Sequence, residues 1–150
     1  MKVVIQRVNQ AEVSIDNKVI GQIKKGLLVL LGFEENDNED DIEWIVNKVL
    51  RMRIFSDEDH KMNLSLNDIQ ADLLLVSQFT LHASTKKGNR PSFVKAAQPK
   101  LAQDLYTKTI STFSENYNGK IETGKFGAMM EVSLTNDGPV TIIMDSKNKN

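Results

Sequence analysis

Gly26-Leu27-Leu28-Val29-Leu30-Leu31-Gly32-Phe33 is the stretch whose reading decides the fold. Its apolar run continues without a polar break from Leu27 to Phe33, the pattern of a strand buried on both faces or lying in a barrel interior. Leu73 to Leu81 reads as a second strongly apolar strand, followed by a polar loop from His82 to Arg90 that contains Gly88. Upstream, Lys2 to Val8, Glu12 to Ile15 and Val19 to Ile23 read as strands around a turn at Asp16 and Asn17, with a meander as the simplest arrangement. Arg53 to Phe55 reads as a short strand ending at the polar turn Ser56 to Lys61. Two final strands, about Met130 to Thr135 and Val140 to Asp145, flank Asn136-Asp137-Gly138-Pro139, where a plain hairpin turn is expected.

Two helices fill the remaining segments. Asn38 is a natural cap for a helix with an acidic first turn, and Ile42, Ile45, Val46, Val49 and Leu50 then recur at helical spacing. Trp44 falls beside that stripe and reads as packing. A second helix opens near Pro99, a residue suited to a first helical turn, with Leu101, Leu105, Ile110, Phe113 and Tyr117 facing inward and Gly119 ending it. The expected fold is a single α+β domain over residues 1–150, a curled, mainly antiparallel β-sheet or barrel with two main helices packed outside. Ser146 to Asn150 is expected to be a frayed tail.

Composition narrows the chemistry. A chain of 150 residues with 40% hydrophobic and 26% charged residues is ordinary for a globular domain. There is no cysteine, which removes disulfides, thiolate nucleophiles and cysteine metal sites. The opening MKVVIQRV is interrupted too soon by Gln6 and Arg7 for a signal peptide, no run approaches a membrane span, and the expected location is the cytoplasm. A net charge of −1 argues against indiscriminate coating of nucleic acid. The charge is nonetheless uneven: Glu34 to Glu43 holds seven acids and no base, whereas Leu73 to Gln103 holds Lys86, Lys87, Arg90, Lys95 and Lys100 and no acid. Such runs are commonly solvated faces; a local contact with phosphates is the sharper alternative.

Three segments place polar or conformationally special residues where the pattern predicts packed sheet. Ser77-Gln78-Phe79-Thr80 turns an apolar strand hydrogen-bonding at its end, where a rigid backbone aims side chains. Asn136-Asp137-Gly138-Pro139-Val140-Thr141 sets a Gly-Pro step between two strands. Gly88-Asn89-Arg90-Pro91-Ser92-Phe93 joins a basic stretch to a proline-restricted one, as a loop closing over a substrate does. There is no phosphate-binding loop and no GxGxxG. His60 and His82 lack a second metal ligand at helical or hairpin spacing, so no metal and no cofactor is expected. On an extended strand Thr80 and His82 would share a face, yet a surface position for His82 is the expectation.

Taken in order, Gln6-Arg7-Val8, the Gly26 to Gly32 run, Arg53-Ile54-Phe55-Ser56-Asp57, Lys61-Met62-Asn63-Leu64, Ser77-Gln78-Phe79-Thr80-Leu81, Arg90-Pro91-Ser92-Phe93 and Val132-Ser133-Leu134 leading into Asn136 to Thr141 resemble the D-aminoacyl-tRNA deacylases. The resemblance begins at Met1 and fades only in the tail. It implies hydrolysis of the ester of D-aminoacyl-tRNA, and of mischarged glycyl-tRNA, by a homodimer that binds the acceptor end of tRNA, with neither membrane nor DNA as partner. It further implies that the Gly138-Pro139 peptide is cis and reaches into the active site of the other subunit, its carbonyl oxygens accepting from the α-ammonium of the substrate while the backbone excludes an L side chain.

Carried over residue by residue, Arg7 would orient the Gly138-Pro139 carbonyls, and Ser77, Gln78, Phe79 and Thr80 would wall the pocket around the scissile ester. Phe126, Ala128 and Met130 would line an apolar slot for the terminal adenosine, beside Met129, which stands where many members carry an acid. Lys86, Lys87 and Arg90 would meet the phosphates. With no persuasive base for Thr80, attack by water is preferred to a covalent threonine. A non-catalytic RNA-end binding module and a general esterase are the rivals.

Overall fold

In the computed structural model, which describes residues 1–150, the decisive run becomes β3 (Gly26–Gly32) and its two faces feed two different cores. Leu27, Val29 and Leu31 pack with Leu73 and Leu75 of β6 (Asp72–Ser77) in the larger cluster, whereas Leu28 joins Leu74 and Val76 in the smaller. Side chains alternate across a strand, so a strand wedged between two apolar layers has no polar position to offer. Each fully buried leucine contributes about 1.5–3 kcal/mol relative to exposure.

The first strand is one element. β1 (Lys2–Ile15) runs unbroken where two strands were expected, and it turns into β2 (Lys18–Ile23) through Asp16 and Asn17, both at positive φ (49° and 63°), the two-residue turn whose twist suits a hairpin. The expected meander is not formed, because β3 returns to β1 itself, pairing from Lys2↔Gly32 to Val8↔Gly26. β6 then lies parallel to β3, and β7 (Ile121–Thr123) parallel to β6. Parallel neighbours need crossovers, which α1 (Glu39–Arg51) and α3 (Pro99–Asn116) supply. The sheet is therefore mixed: β1 pairs antiparallel with β2, β3 and β8, so most of the ladder is antiparallel as expected, and β3, β6 and β7 add a parallel portion. It is also nearly closed, since β2 comes against β7 so tightly that a Cβ on Gly21 would lie 2.8 Å from the Thr123 carbonyl oxygen.

α1 forms as its sequence dictates. The Asn38 side chain accepts from the backbone of Asp40 and Asp41, Asp41 reciprocates to the Asn38 N–H at 2.9 Å, and the predicted apolar stripe is buried. α3 is rotated from its expected register: Ala102, Tyr106, Thr109 and Phe113 are buried, while Leu101, Leu105 and Ile110 flank them only partly covered. Small Ala102 and Thr109 allow close approach, and Thr109 satisfies its hydroxyl by donating to the Leu105 carbonyl at 2.7 Å. The helix ends at Asn116, ahead of Gly119. Between the two long helices a small hairpin, β4 (Phe55–Ser56) with β5 (Met62–Leu64), and the short α2 (Leu66–Ile69) complete the crossover; Arg53 lies outside the strand expected for it. No helix is long and apolar enough to cross a membrane.

The last strand corrects the hairpin expectation. β8 (Glu131–Asp145) is one strand that pairs with β1 on both sides of Gly138-Pro139. From Val8↔Asn136 to Gln6↔Thr141, β1 advances two residues while β8 advances five, so the intervening residues bulge out of the ladder opposite Arg7. The first two residues of the tail are tied to the body of the fold. Ser146 is buried, its hydroxyl accepting from the Met1 ammonium at 2.9 Å, and Lys147 bonds Asp41 at 2.7 Å and the Asn36 carbonyl at 2.9 Å. The acidic run is thus partly internal, with Asp37 taking a hydrogen bond from the Met1 ammonium.

Burial alone would raise the carboxyl of Asp41, but hydrogen bonds from Lys147, Ser146 and the Asn38 backbone outweigh it and hold the group at about 2, below its ordinary 3.8. A carboxylate depressed in the folded state lends stability that is complete above its unfolded value and is lost as pH falls through the folded one. The urea midpoint of the protein should therefore drop between pH 4 and pH 2, and Asp41→Asn should flatten that part of the curve. An unchanged acid limb in the variant would contradict this account of the tail.

Candidate functional site

β6 does not continue to Leu81 as expected. It ends at Ser77, and Phe79–His82 folds into a single 3₁₀ turn. Gln78 is the pivot: its N–H still donates to the Leu31 carbonyl at 2.7 Å, and its own carbonyl accepts from Leu81 N at 3.4 Å. The turn closes over Gly32, where a Cβ would come within 2.9 Å of the Gln78 carbonyl oxygen and 3.0 Å of Leu81 Cβ. Thr80 is thereby exposed at the lip of the strand, and the Gln78 amide donates to its hydroxyl at 2.6 Å. The first N–H groups of any helical turn lack partners within it. Here those belong to Phe79 and Thr80.

Beside the turn lies a cavity of about 620 Å³ with mostly apolar walls. Ser77, Gln78 and Phe79 form one side; Phe126, Ala128 and Met130 form the facing one, with Met129 at the rim, its side chain 91% exposed. The pocket and the slot expected from the sequence are thus walls of one cavity. Thr80 is not in its lining. Phe93, Ala97 and Pro99 also line it; Phe93 ends the segment read as a loop closing over a substrate, whereas Ala97 and Pro99 were not foreseen because their place depends on how the 83–98 segment folds back. Phe93 meets Phe79 edge-on at 5.1 Å between ring centroids. Behind Phe126 stands Tyr106, 6.0 Å away, whose hydroxyl donates to the Leu75 carbonyl at 2.9 Å. Burial pushes that phenol up to about 12, so it acts as a fixed donor and not as an acid or base.

Lys86, Lys87 and Arg90 are exposed on a loop pinched at its base, where Ser84 and Ser92 exchange backbone hydrogen bonds of 2.7 and 3.0 Å. Gly88, at a φ of +66°, turns its tip. Phe93 follows the pinch directly, so the basic loop is anchored to the cavity rim.

The Thr80/His82 pairing is not formed, and His82 is not a surface residue. The 3₁₀ turn sends the two side chains apart, leaving His82 at 2% exposure with no protein group bonded to either ring nitrogen. No group of three or more His, Asp or Glu side chains is arranged to hold a metal ion.

Arg7, Gly138 and Pro139 line no part of this cavity. The Arg7 guanidinium is buried against the bulge of β8. Its Nε donates to the Asp137 carbonyl at 2.9 Å and lies 3.3 Å from the Asp137 carboxylate, while Nη1 donates to the Ile54 carbonyl at 2.6 Å. The carbonyl it holds is thus the one before the Gly-Pro step. The Gly138-Pro139 peptide is cis, and both residues are exposed. Asn136 closes the bulge from within, accepting from Val140 N at 2.7 Å and donating to the Val140 carbonyl at 3.1 Å.

Fold and cavity together set an apolar space, with hydrogen-bonding groups in its lining, against the end of β6 in a nearly closed mixed sheet. Residues 4–145 match the family model described as D-Tyr-tRNA(Tyr) deacylase. The chain is 56% identical over 149 residues to a D-aminoacyl-tRNA deacylase of Flavobacterium psychrophilum, covering 99% of each, and 57% identical to one of Cytophaga hutchinsonii over the same span. Among solved structures it resembles a c-Myc DNA Unwinding Element Binding Protein, with a TM-score of 0.92, 40% identity and coverage of 97% of this chain and 98% of that one. A probable eukaryotic D-amino acid tRNA deacylase, at 18% identity, TM-score 0.77 and coverage of 95% and 97%, shares the fold. The chain belongs to the D-Tyr-tRNA(Tyr) deacylase family.

An unbonded buried polar group costs roughly 1–3 kcal/mol, and in a domain of this size 1 kcal/mol moves Tm by about 2–4 °C. His82→Leu should therefore raise Tm by a few degrees in calorimetry. A fall of similar size would mean that the imidazole makes a stabilising bond.

Proposed function

We propose that the chain hydrolyses the ester bond of D-aminoacyl-tRNA, releasing tRNA and the D-amino acid, as a homodimer in which Gly138-Pro139 of one subunit enters the cavity of the other. The observation that carries this reading is the separation within one chain of two halves of a site. A cavity with hydrogen-bonding groups at one wall has no carboxylate in its lining to pair with an α-ammonium, and an exposed, firmly braced Gly-Pro step lies outside it. Membership of the family supports the reaction. An exposed apolar side chain on β8, Leu134 at 37%, supports association through that strand.

In this reading the main-chain carbonyls of the entering step accept hydrogen bonds from the substrate ammonium. With that group fixed, a D side chain points to open space and an L side chain meets backbone. Backbone has few ways to yield, so selection works by exclusion. Glycine carries nothing to exclude, and glycyl-tRNA is accepted.

Arg7 sets the position of the step through the Asp137 carbonyl. The terminal adenosine takes the wall of Phe126, Ala128 and Met130, and Lys86, Lys87 and Arg90 meet phosphates of the acceptor end. Water attacks the ester, assisted by the neighbouring ribose hydroxyl, and the Phe79 and Thr80 N–H groups receive the developing oxyanion. Thr80 is disfavoured as a nucleophile because its hydroxyl is engaged by the Gln78 amide, which is no base. The place of work is the cytoplasm, where tRNA is charged.

Release of tyrosine from D-Tyr-tRNA with none from L-Tyr-tRNA or simple tyrosyl esters is the expected result, and equal turnover of the two enantiomers would overturn the reading. A Cβ on Gly138 would lie 2.8 Å from Val140 Cγ2 and 2.9 Å from Val140 N at a φ of +142°, so alanine there must displace the step. Gly138→Ala should lower the D-over-L ratio of kcat/KM by about tenfold or more, equivalent to at least 1.4 kcal/mol. Replacing Lys86 and Lys87 by glutamine should reduce the slope of log affinity for tRNA against log salt by roughly 1 to 2. An unchanged slope would return that loop to a solvated face.

A further inference from the structure

A second aromatic and basic surface lies away from the cavity, where the last turn of α1 faces the end of β8. Trp44, Lys48 and Arg51 form one wall of an open groove of about 780 Å³, and Ile143 and Asn148 belong to the opposite wall and floor. Two ammonium groups approach the Trp44 ring, Lys48 Nζ at 5.9 Å from its centroid and Lys149 Nζ, from the tail, at 5.1 Å. Asp145 is the only acid in the lining. Basic residues in the last turn of a helix are accounted for by the helix dipole alone. Packing on the main core accounts for the buried part of Trp44, but neither it nor the dipole accounts for a lysine delivered to the ring by a separate segment.

The groove is also fixed relative to the projecting Gly-Pro step. One wall leads through Met52 to Ile54, whose carbonyl accepts from Arg7, and the same guanidinium holds Asp137. The other wall begins at Ile142, three residues beyond Pro139. Whatever receives Gly138-Pro139 therefore receives the groove beside it.

We infer that this groove is a second RNA-binding surface, which takes the sugar-phosphate backbone of the substrate tRNA beyond its terminal nucleotides and serves the cavity of the opposite subunit. Phosphates pair with Lys48, Arg51 and Lys149, and the Trp44 face offers a platform for a ribose or an unstacked base. In the acidic first turn of the same helix the exposed Glu39 and Asp40 repel the backbone at the far end and give the track a direction. The inference rests on the proposed deacylase reading for its substrate and on the in-trans arrangement for its geometry.

The test is the double variant Lys48→Glu/Arg51→Glu, two surface changes that leave the core untouched, assayed as the intact dimer. Affinity for uncharged tRNA, measured by filter binding, should fall at least about tenfold, and the salt slope should decrease by roughly 2. KM for D-Tyr-tRNA should rise in parallel with kcat within about twofold. Turnover of D-tyrosyl-adenosine, too short to reach the groove, should be far less affected. Unchanged affinity and slope, or equal losses on the tRNA and the adenosine ester, would overturn the inference, the former leaving the exposed β8 edge as a protein-binding surface. If wild-type protein binds tRNA but releases no D-tyrosine, the deacylase reading fails while the binding measurement still decides the groove.

Discussion

The Arg7 guanidinium is a buried cation whose hydrogen bonds run to two segments distant in sequence, the carbonyl of Ile54 and the carbonyl and carboxylate of Asp137. Removing one partner of a buried, bonded charge typically costs about 3–5 kcal/mol, because the other is left uncompensated. That cost keeps the bulge of β8 in one conformation. The extra residues of β8 have no ladder partners, and without a buried donor at the position opposite them they would be a loose loop on a sheet edge. With it, an exposed glycine and proline are presented by a rigid base. The same guanidinium ties the exit of α1 to the bulge, so the surfaces on either side move together.

The cavity depends on a different constraint with a similar result. Gly32 leaves just enough room for β6 to end in a tight 3₁₀ turn, which exposes backbone N–H groups at the lip of an apolar space. Tyr106 and Phe126 stiffen the facing wall. Neither half of the proposed site relies on a titrating side chain: the groups that meet the reacting ester are peptide units and an amide. Such a site gains by preorganisation, since dipoles fixed by the fold need not reorient when charge develops. It also suits chiral selection, because main chain is harder to displace than a rotamer.

Much of this was legible in the sequence, and the failures share a cause. The apolar runs at Leu27 and Leu73, the Asn38 cap and Pro99 are local signals, and each produced its element. Ser77, Gln78, Phe126, Ala128 and Met130 were recognisable as a group by resemblance, and the fold gathers them round one cavity. What was misread turns on long-range pairing. A Gly-Pro step between two strands reads as a hairpin unless β1 is known to run past both sides of it. Thr80 and His82 share a face only if the strand continues, and whether it does is decided by Gly32 across the sheet. The parallel pairing of β3 with β6 leaves no mark on either strand beyond its hydrophobicity, so the parallel portion of a mainly antiparallel sheet was not foreseen. The tail looked free because the Met1 ammonium and Asp41 that hold Ser146 and Lys147 lie more than a hundred residues away.

The central claim is that one subunit supplies the step and the other the cavity, and mixed dimers test it most directly. A Gly138→Ala chain retains its cavity, a Gln78→Ala chain retains its step, and each homodimer should act on D-Tyr-tRNA at about a tenth of the wild-type rate or less. Co-refolded in equal amounts, half of the dimers are mixed and each mixed dimer contains one intact site, so activity should return to about a quarter of the wild-type level. A mixture as inactive as its two parents would contradict the account, because it would mean that step and cavity must belong to the same chain.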